Sequence, residues 1–326
     1  MARYGMTVPF DGIPLGDQRE WYEELAELGY TDLWSAEAMG ADGFTPLTLA
    51  SVWTPSMRLG TAIIPVFTRG PACLAQSAAS LADAAPGRFV LGIGTSSNVI
   101  VERWNGIAFD EPYKKMRDVV RFLRSAFAGE KIKTEYDTMS ISGFRLGIRP
   151  EIPPPILVAA LRPGMLELAG READGAIINW LSAEDVATVA PYVRRHGQQP
   201  DGTDKEIVAR IFVCPTEDAE TARTVGRFAI AAYLTVPVYA AFHEWLGRGD
   251  QLKGLWEHWK AGDRAAALAA IPDEVVDQLI VHGSPAECRA HVQRYVDNGV
   301  TTPALAVIPP PGTDLRQALR DLAPTA

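Results

Sequence analysis

Short apolar segments alternate with longer amphipathic ones along most of this 326-residue chain. Apolar segments without polar alternation are typical of parallel strands that helices cover on both faces. The predicted strands span residues 4–8, 32–35, 58–64, 89–93, 156–160, 176–179, 207–213 and 304–308. This pattern predicts an α/β fold of the (β/α)8 type, a TIM barrel, with a doubly wound sheet as the alternative.

Helical patterns fill the intervals between these segments. One predicted helix spans residues 17–28 and ends before Gly29. Another is predicted over 285–297, with Ser284 as its N-cap and Pro285 in its first turn. The longest interval, residues 217–283, is helical in pattern and rich in tryptophan. We therefore predict one domain over residues 1–326, with a helical insertion between strands 7 and 8. Such an insertion extends the rim where this fold builds its active sites.

The charge balance restricts the partners of the chain. The formal net charge is -9, and no Lys/Arg-rich block is present, which argues against nucleic acid. No window approaches the roughly 20 continuous apolar residues of a membrane span, and the N-terminus lacks a signal-peptide pattern. Three scattered cysteines suit a reducing compartment. We expect a cytoplasmic protein that acts on a small molecule, without membrane or nucleic-acid partners.

No residue pattern indicates a bound metal or an activated serine. The five histidines show neither an HExxH motif nor paired spacing, so no metal site is predicted. A GxSxG nucleophile elbow is also missing from the sequence. These observations leave room for an organic cofactor that carries the chemistry.

Gly92-Ile93-Gly94 closes a predicted strand and is followed by Thr95-Ser96-Ser97. The third glycine of a dinucleotide fingerprint is missing, which argues against a Rossmann site. Two interpretations stay open. The strand end leaves room for a flat ligand that the hydroxyl groups bind, or the serines cap a tight turn.

Three further positions each allow a functional and a structural interpretation. The segment 161–165, with Arg162, follows a strand and opens a helix, which suits either a phosphate or an ordinary turn. Glu37 follows the second strand, where a carboxylate handles a proton or forms a rim salt bridge. His243 and Trp245 in the insertion line a substrate pocket or pack a helix face.

Seven segments in order resemble the luciferase-like flavin and deazaflavin oxidoreductases over essentially the whole chain. They are residues 29–37, 42–47, 58–65, 86–95, 155–160, 172–179 and 283–287. The resemblance is greatest to the branch that uses coenzyme F-420, a 5-deazaflavin. Flavin mononucleotide (FMN) members often carry a Gly-Trp-rich segment after the fourth strand, where this chain reads TSSNVIVERW over 95–104. An FMN-dependent monooxygenase and a non-catalytic cofactor-binding barrel are the alternatives.

This resemblance implies hydride transfer between coenzyme F-420 and an organic substrate in the barrel mouth. It assigns the cofactor to Ala62, Ile63, Ile64, Thr95, Ser96, Ser97, Ala159, Ala160, Arg162, Gly164, Met165, Asn179 and Trp180. It further implies a non-prolyl cis peptide at Ala62–Ile63 or Ile63–Ile64, and a homodimer formed through outer helices.

Related deazaflavin dehydrogenases carry an Asp-His pair after the second strand, whereas this chain has Glu37-Ala38. The histidine that serves those enzymes as a base is therefore missing here. This departure favours a reductase, or an enzyme whose proton comes from Glu37 or water.

Overall fold

The structure, a computed structural model, describes residues 3–199 and 202–324. Its strands are β1 (Gly5–Val8), β2 (Asp32–Ser35), β3 (Arg58–Thr61), β4 (Ile64–Pro65), β5 (Phe89–Gly94), β6 (Ile132–Glu135), β7 (Ser140–Phe144), β8 (Ile156–Ala159), β9 (Gly175–Asn179), β10 (Glu206–Val213), β11 (Ile280–Val281) and β12 (Thr302–Val307). Its helices are α1 (Arg19–Glu27), α2 (Thr45–Trp53), α3 (Pro71–Ala84), α4 (Pro112–Phe127), α5 (Pro163–Glu172), α6 (Val186–Arg194), α7 (Ala219–Leu234), α8 (Pro237–Trp245), α9 (Gly249–Ala261), α10 (Arg264–Ala269), α11 (Asp273–Leu279), α12 (Pro285–Asp297) and α13 (Leu315–Asp321).

Within the described residues, parallel strands close into a barrel in the order β1, β2, β3, β5, β8, β9, β10 and β12. The last strand pairs back to the first, with Ala304 opposite Gly5. Strand β4 continues the line of β3 after a two-residue interruption and pairs with β5. The predicted TIM barrel is confirmed, and the doubly wound alternative is wrong because the sheet returns to its first strand.

A two-stranded hairpin, β6 with β7, was not predicted from the sequence. It lies between α4 and β8, and its strands pair antiparallel. One of its residues, Phe144, packs its ring 5.4 Å from that of Phe122 in α4. Most positions of the hairpin are exposed and carry polar residues, as a loop does. The sequence therefore has no apolar alternation from which to predict these strands.

The amino-terminal half of the barrel interior is filled by side chains. They form a buried cluster of Trp34, Val90, Leu157, Ile177, Val208 and Ala304. The indole of Trp34 fits because its neighbours on β1 and β3 are glycines. A Cβ added at Gly60 would lie 2.2 Å from the Trp34 ring, and one at Gly5 would lie 2.7 Å from it. The barrel is therefore a packed core at this end.

An ion cluster closes the amino-terminal end of the barrel. The guanidinium of Arg58 lies 2.6 Å from the Glu206 carboxylate and 3.3 Å from that of Asp32. The Thr302 hydroxyl donates to the same Glu206 oxygen. Burial raises the pKa of Asp32, and the charge of Arg58 partly offsets that effect. Only the carboxyl-terminal end is left for ligands.

Truncating Trp34 to alanine should destabilise the fold by roughly 3–5 kcal/mol, because it leaves a cavity that the barrel cannot collapse. Urea unfolding measures this change. The control is Trp104→Ala, since Trp104 is 52% exposed, and it should shift the free energy of unfolding by less than about 0.5 kcal/mol. Equal effects of the two substitutions would contradict the packing described here.

The predicted insertion is present as helices α7 to α11 between β10 and β12, and it has its own apolar cluster. The indole NH of Trp256 donates to the Leu234 carbonyl at 2.9 Å, and Arg264 lies 3.6 Å from the centre of the Trp259 ring. These two tryptophans pack within the insertion rather than line a pocket.

In the described ranges no single helix is long and apolar enough to cross a membrane. The pair α7 and α8 meets the length and composition criteria only when joined, and it is bent by 106°.

Candidate active site

Apart from Phe212, the residues that line the carboxyl-terminal half of the barrel interior are mostly small or polar, as five of them show. Thr7, Ala62, Ala159, Asn179 and Arg210 are each only half-buried. The amino-terminal half, in contrast, is filled by Trp34 and its neighbours. The barrel thus opens at the end where enzymes of this fold build their active sites, and we call this opening the mouth.

The interruption between β3 and β4 forms one wall of the mouth. The peptide bond between Ala62 and Ile63 is cis, as the resemblance implied, and the alternative at Ile63–Ile64 is wrong. The Ala62 NH donates to the Ser35 carbonyl at 2.5 Å, and the Ile63 carbonyl accepts from the Glu37 NH at 3.1 Å. These two hydrogen bonds fix the interruption at Ala62–Ile63, which we call the bulge, to the end of β2.

Ile64 does not face the mouth. Its side chain is fully buried and reaches the position that a Cβ on Gly43 would occupy, 2.3 Å from Ile64 Cδ1. It packs behind the bulge, against the loop that leads to α2. The expectation that Ile64 contacts the cofactor ring is therefore corrected, whereas Ala62 and Ile63 pack on the inner cluster.

The two glycines of β5 make room for this bulge. A Cβ at Gly92 would lie 1.8 Å from the Thr61 carbonyl oxygen, and one at Gly94 would lie 2.7 Å from Ile63 Cγ1. The glycines therefore allow a close approach between strands, which the sequence pattern did not specify. They position the wall formed by Ala62 and Ile63.

In the segment after β5, one residue caps a turn and two others have hydroxyl groups available to a ligand, so each of the two interpretations given above fits part of it. The Ser97 hydroxyl accepts from the Ile100 NH at 3.4 Å, so it caps the π-helical turn Val99–Trp104. Ser96 has a left-handed backbone, with φ of 63°, a conformation uncommon for serine. The hydroxyls of Thr95 and Ser96 have no hydrogen-bond partner in the part of the chain that the structure describes. They are available to a ligand.

Glu37 stands on the rim and is fixed by Arg69. The Arg69 Nη2 atom lies 2.7 Å from Glu37 Oε2, and the Gly43 NH donates to that oxygen at 3.2 Å. The guanidinium also lies 5.2 Å from the Phe44 ring centre. Its hydrogen bond to Glu37 raises the pKa of Arg69 above its ordinary value. The salt-bridge interpretation of Glu37 thus matches the structure, and Arg69 is a site residue that the sequence did not single out.

The start of α5 is open on its outer side. Arg162 precedes the helix, Pro163 occupies its first turn, and a Cβ at Gly164 would meet nothing within 4 Å. The Met165 and Leu166 amides both approach the Arg162 carbonyl. This geometry suits a phosphate and an ordinary turn equally.

The Ala160 side chain is buried in the core outside the barrel, which corrects its assignment as a contact residue. Its NH donates to the Ile177 carbonyl, so its backbone continues the line of β8. Ala159, one residue earlier, is half-buried and faces the opening.

The end of β9 connects the mouth to the insertion. The Asn179 amide NH2 donates to the Tyr239 hydroxyl at 3.4 Å, so α8 contributes a tyrosine that the sequence did not predict. Trp180 was expected beside Asn179 in the cofactor site. The structure instead buries it, stacked 4.0 Å from the Phe212 ring and beside Tyr233. Trp180 joins barrel and insertion and does not line the mouth.

His243 and Trp245 do not form a substrate pocket, contrary to the prediction. His243 is 0% exposed, and burial together with the charge of Arg248 lowers its pKa to about 3. Trp245 packs its edge 5.7 Å from the ring of Tyr192 on α6, an outer helix. Both side chains of α8 therefore pack against protein, whereas Tyr239 of the same helix reaches Asn179.

The buried His243 should make folding stability fall on acidification. Its folded pKa of about 3 lies below the ordinary value of 6.5, so the unfolded state binds more protons between these values. Stability is lost as the pH falls from about 6.5, at up to about 1.4 kcal/mol per pH unit. His243→Met should flatten this slope between pH 6 and pH 4.5 in chemical denaturation, whereas the exposed-residue control His258→Gln should not. An unchanged slope in His243→Met would refute the assignment.

Comparison with known proteins identifies the class. The model of the luciferase-like monooxygenase family matches residues 2–302, and the chain belongs to this family. The match also confirms the prediction of a luciferase-like enzyme.

Two curated relatives and one solved structure illustrate the range of the similarity. The chain is 28% identical to 5,10-methylenetetrahydromethanopterin reductase of Methanolobus tindarius, covering 86% of this chain and 87% of the relative. It is also 28% identical to the F-420-dependent glucose-6-phosphate dehydrogenase of Kineococcus radiotolerans, covering 88% and 85%. The coenzyme F-420-dependent tetrahydromethanopterin reductase of Methanopyrus kandleri shares the fold, with a TM-score of 0.81, 19% identity and coverage of 100% and 98%.

Proposed function

We propose that the protein is an oxidoreductase that transfers a hydride between coenzyme F-420 and a small organic substrate in the barrel mouth. The observation that carries this proposal is the near full-length similarity to a curated enzyme named for F-420 dependence. The cofactor is the part of the proposal that this similarity supports, because relatives in the same family act on different substrates. The site geometry supports the same conclusion independently.

The residues of the mouth fit a flat, polar ring system. The wall at Ala62 and Ile63 is apolar and packed from behind, so it offers a rigid surface. The Thr7 Oγ1 atom, buried without a protein partner in the described chain, points to a ligand with a hydrogen-bonding edge. The side chains at the ends of β5 and β8 are small, Gly94 and Ala159.

When bound, a 5-deazaflavin supplies a carbon that exchanges hydride as a two-electron carrier. Ala62 and Ile63 would support the ring, and the hydroxyls of Thr95 and Ser96 would bind its polar edge. Arg162, with the amide at Gly164, would hold the phosphate end, next to Met165 in the first turn of α5. Ser97 after β5 and Ala160 after β8 would hold the backbone of the segments that flank the coenzyme.

The rim supplies the proton chemistry. In this proposal the Glu37 carboxylate, fixed by Arg69 and the Gly43 NH, exchanges a proton with the substrate or with water. The insertion narrows the opening through Tyr239 and determines which substrates reach the ring. Positioning and exclusion of water are then the main tasks of the protein.

Fluorescence titration of the purified protein with coenzyme F-420, and separately with FMN, tests the proposal. We expect a dissociation constant in the micromolar range or below for the deazaflavin, and at least about tenfold weaker binding of FMN. Preference for FMN, together with oxygen consumption by the reduced complex, would establish the monooxygenase alternative. Binding of neither cofactor would refute the proposal.

A further inference from the structure

An arginine lies inside the barrel, where packed side chains or ligands are expected. Arg210 belongs to β10, opposite Asn179 on one neighbouring strand and Ala304 on the other. Val208, two residues earlier, packs in the inner cluster, so the alternation of the strand directs Arg210 inward as well. The guanidinium lies 5.0 Å from the ring centre of Phe212, the next inward residue towards the mouth. Arg210 therefore extends towards the open end.

No protein anion neutralises this guanidinium. Within the described residues, Arg210 forms no ion pair, and its Nε atom is buried without a hydrogen-bond partner. The carboxylates of Asp32 and Glu206 bind Arg58 at the amino-terminal end of the barrel. Glu37 on the rim is paired with Arg69.

The other polar groups near Arg210 in the barrel mouth are neutral. Asn179 and Tyr239 bond to each other, and the Thr7 hydroxyl on β1 is buried without a partner. The positive charge of Arg210 acts on Tyr239 and opposes the rise that burial causes in the pKa of that phenol. A cation kept partly from water without a counter-ion is costly unless a ligand supplies the charge.

We propose that Arg210 binds the carboxylate of the substrate, so that this enzyme acts on small organic acids. The proposal rests on the function proposed above, because the acid would lie against the coenzyme in the same mouth. The planar guanidinium presents paired donors that match the two oxygens of a carboxylate. The residues opposite Arg210 and Phe212 on β12 are both alanines, Ala304 and Ala306.

Binding of matched acids and amides tests this assignment. The probes are trans-cinnamate with trans-cinnamamide, and hexanoate with hexanamide, which differ mainly in charge. Affinities are measured by deazaflavin fluorescence in the F-420-loaded protein and by tryptophan fluorescence in the cofactor-free protein. Trp180, stacked on the Phe212 ring that lies beside the Arg210 guanidinium, contributes to the second readout. We expect each acid to bind at least about tenfold more tightly than its amide.

Substitutions of Arg210 test whether this residue causes the preference for acids over amides. Arg210→Met keeps the apolar stem and should remove the preference for acids, whereas Arg210→Lys should retain part of it. The control Arg264→Met removes a cation from the insertion surface, beside the Trp259 ring, and should leave the preference for acids unchanged in the deazaflavin readout. Circular dichroism confirms that each variant is folded, and the affinity of Arg210→Met for coenzyme F-420 should change by less than about threefold.

The outcomes separate the two proposals. Equal affinity for acid and amide in the natural protein, or selectivity that survives in Arg210→Met, overturns the assignment. Loss of coenzyme binding in Arg210→Met also overturns it, since the arginine would then serve the coenzyme. If the natural protein binds no coenzyme F-420, the proposed function fails, while acid selectivity is still read from tryptophan fluorescence.

Discussion

Gly94→Val is expected to abolish binding of coenzyme F-420 while the barrel still folds. The new Cβ would lie 2.7 Å from Ile63 Cγ1 and 3.1 Å from the Ala159 Cβ, so the side chain at 63 must move and the valine methyl groups occupy the mouth. Overpacking against side chains costs about 1–3 kcal/mol, which a barrel of this size tolerates. Fluorescence titration should show at least about a hundredfold loss of coenzyme affinity, with a modest drop in Tm.

Gly92→Val provides the contrasting variant on the same strand. There the Cβ would lie 1.8 Å from the Thr61 carbonyl oxygen, which is backbone and cannot rotate away. We expect this variant to fail to fold. Gly147→Ala serves as the neutral control, because a Cβ there meets nothing within 4 Å. Unchanged coenzyme binding in a folded Gly94→Val protein would show that the ring does not lie against the bulge.

Glu37→Gln is expected to slow turnover by about 10²-fold or more while coenzyme affinity stays nearly unchanged. Glutamine preserves the shape of the side chain and its bond to the Gly43 NH, but it cannot carry a proton. The assay follows the oxidation of reduced coenzyme F-420 with cyclohex-2-enone as acceptor, whose reduction consumes one hydride and one proton. Measuring kcat and KM across pH 5 to 9 separates a loss of proton transfer from a loss of binding.

Two comparisons test whether Glu37 acts chemically or only anchors the rim. Arg69→Met breaks the same ion pair but leaves the carboxylate, so it should reduce kcat less than Glu37→Gln does. Glu23→Gln removes an exposed partner of Arg19 and should have no effect on turnover. Equal losses in Glu37→Gln and Arg69→Met, with parallel drops in Tm, would assign the pair a structural role only.

The barrel was predictable from the sequence because strand burial is recorded in local composition. Strands covered on both faces are continuously apolar, and β5 and β8 each show this pattern between helical segments. The start of a helix was also predictable from neighbouring residues, because Ser284 and Glu287 form a capping box within one turn. The ordered family segments identified the bulge at Ala62–Ile63, which no periodicity reveals.

The composition of the mouth was decided by tertiary structure. Arg69, Arg210 and Tyr239 come from distant segments, and only barrel closure brings their strand ends and the insertion to one opening. The same packing turns Ile64 away, buries Trp180 and His243, and places Trp245 against Tyr192 of an outer helix. Local sequence records how apolar a segment is, but not which neighbours its side chains meet. The sequence thus determined an eight-stranded barrel with an insertion, and long-range register and side-chain direction decided which residues face a ligand.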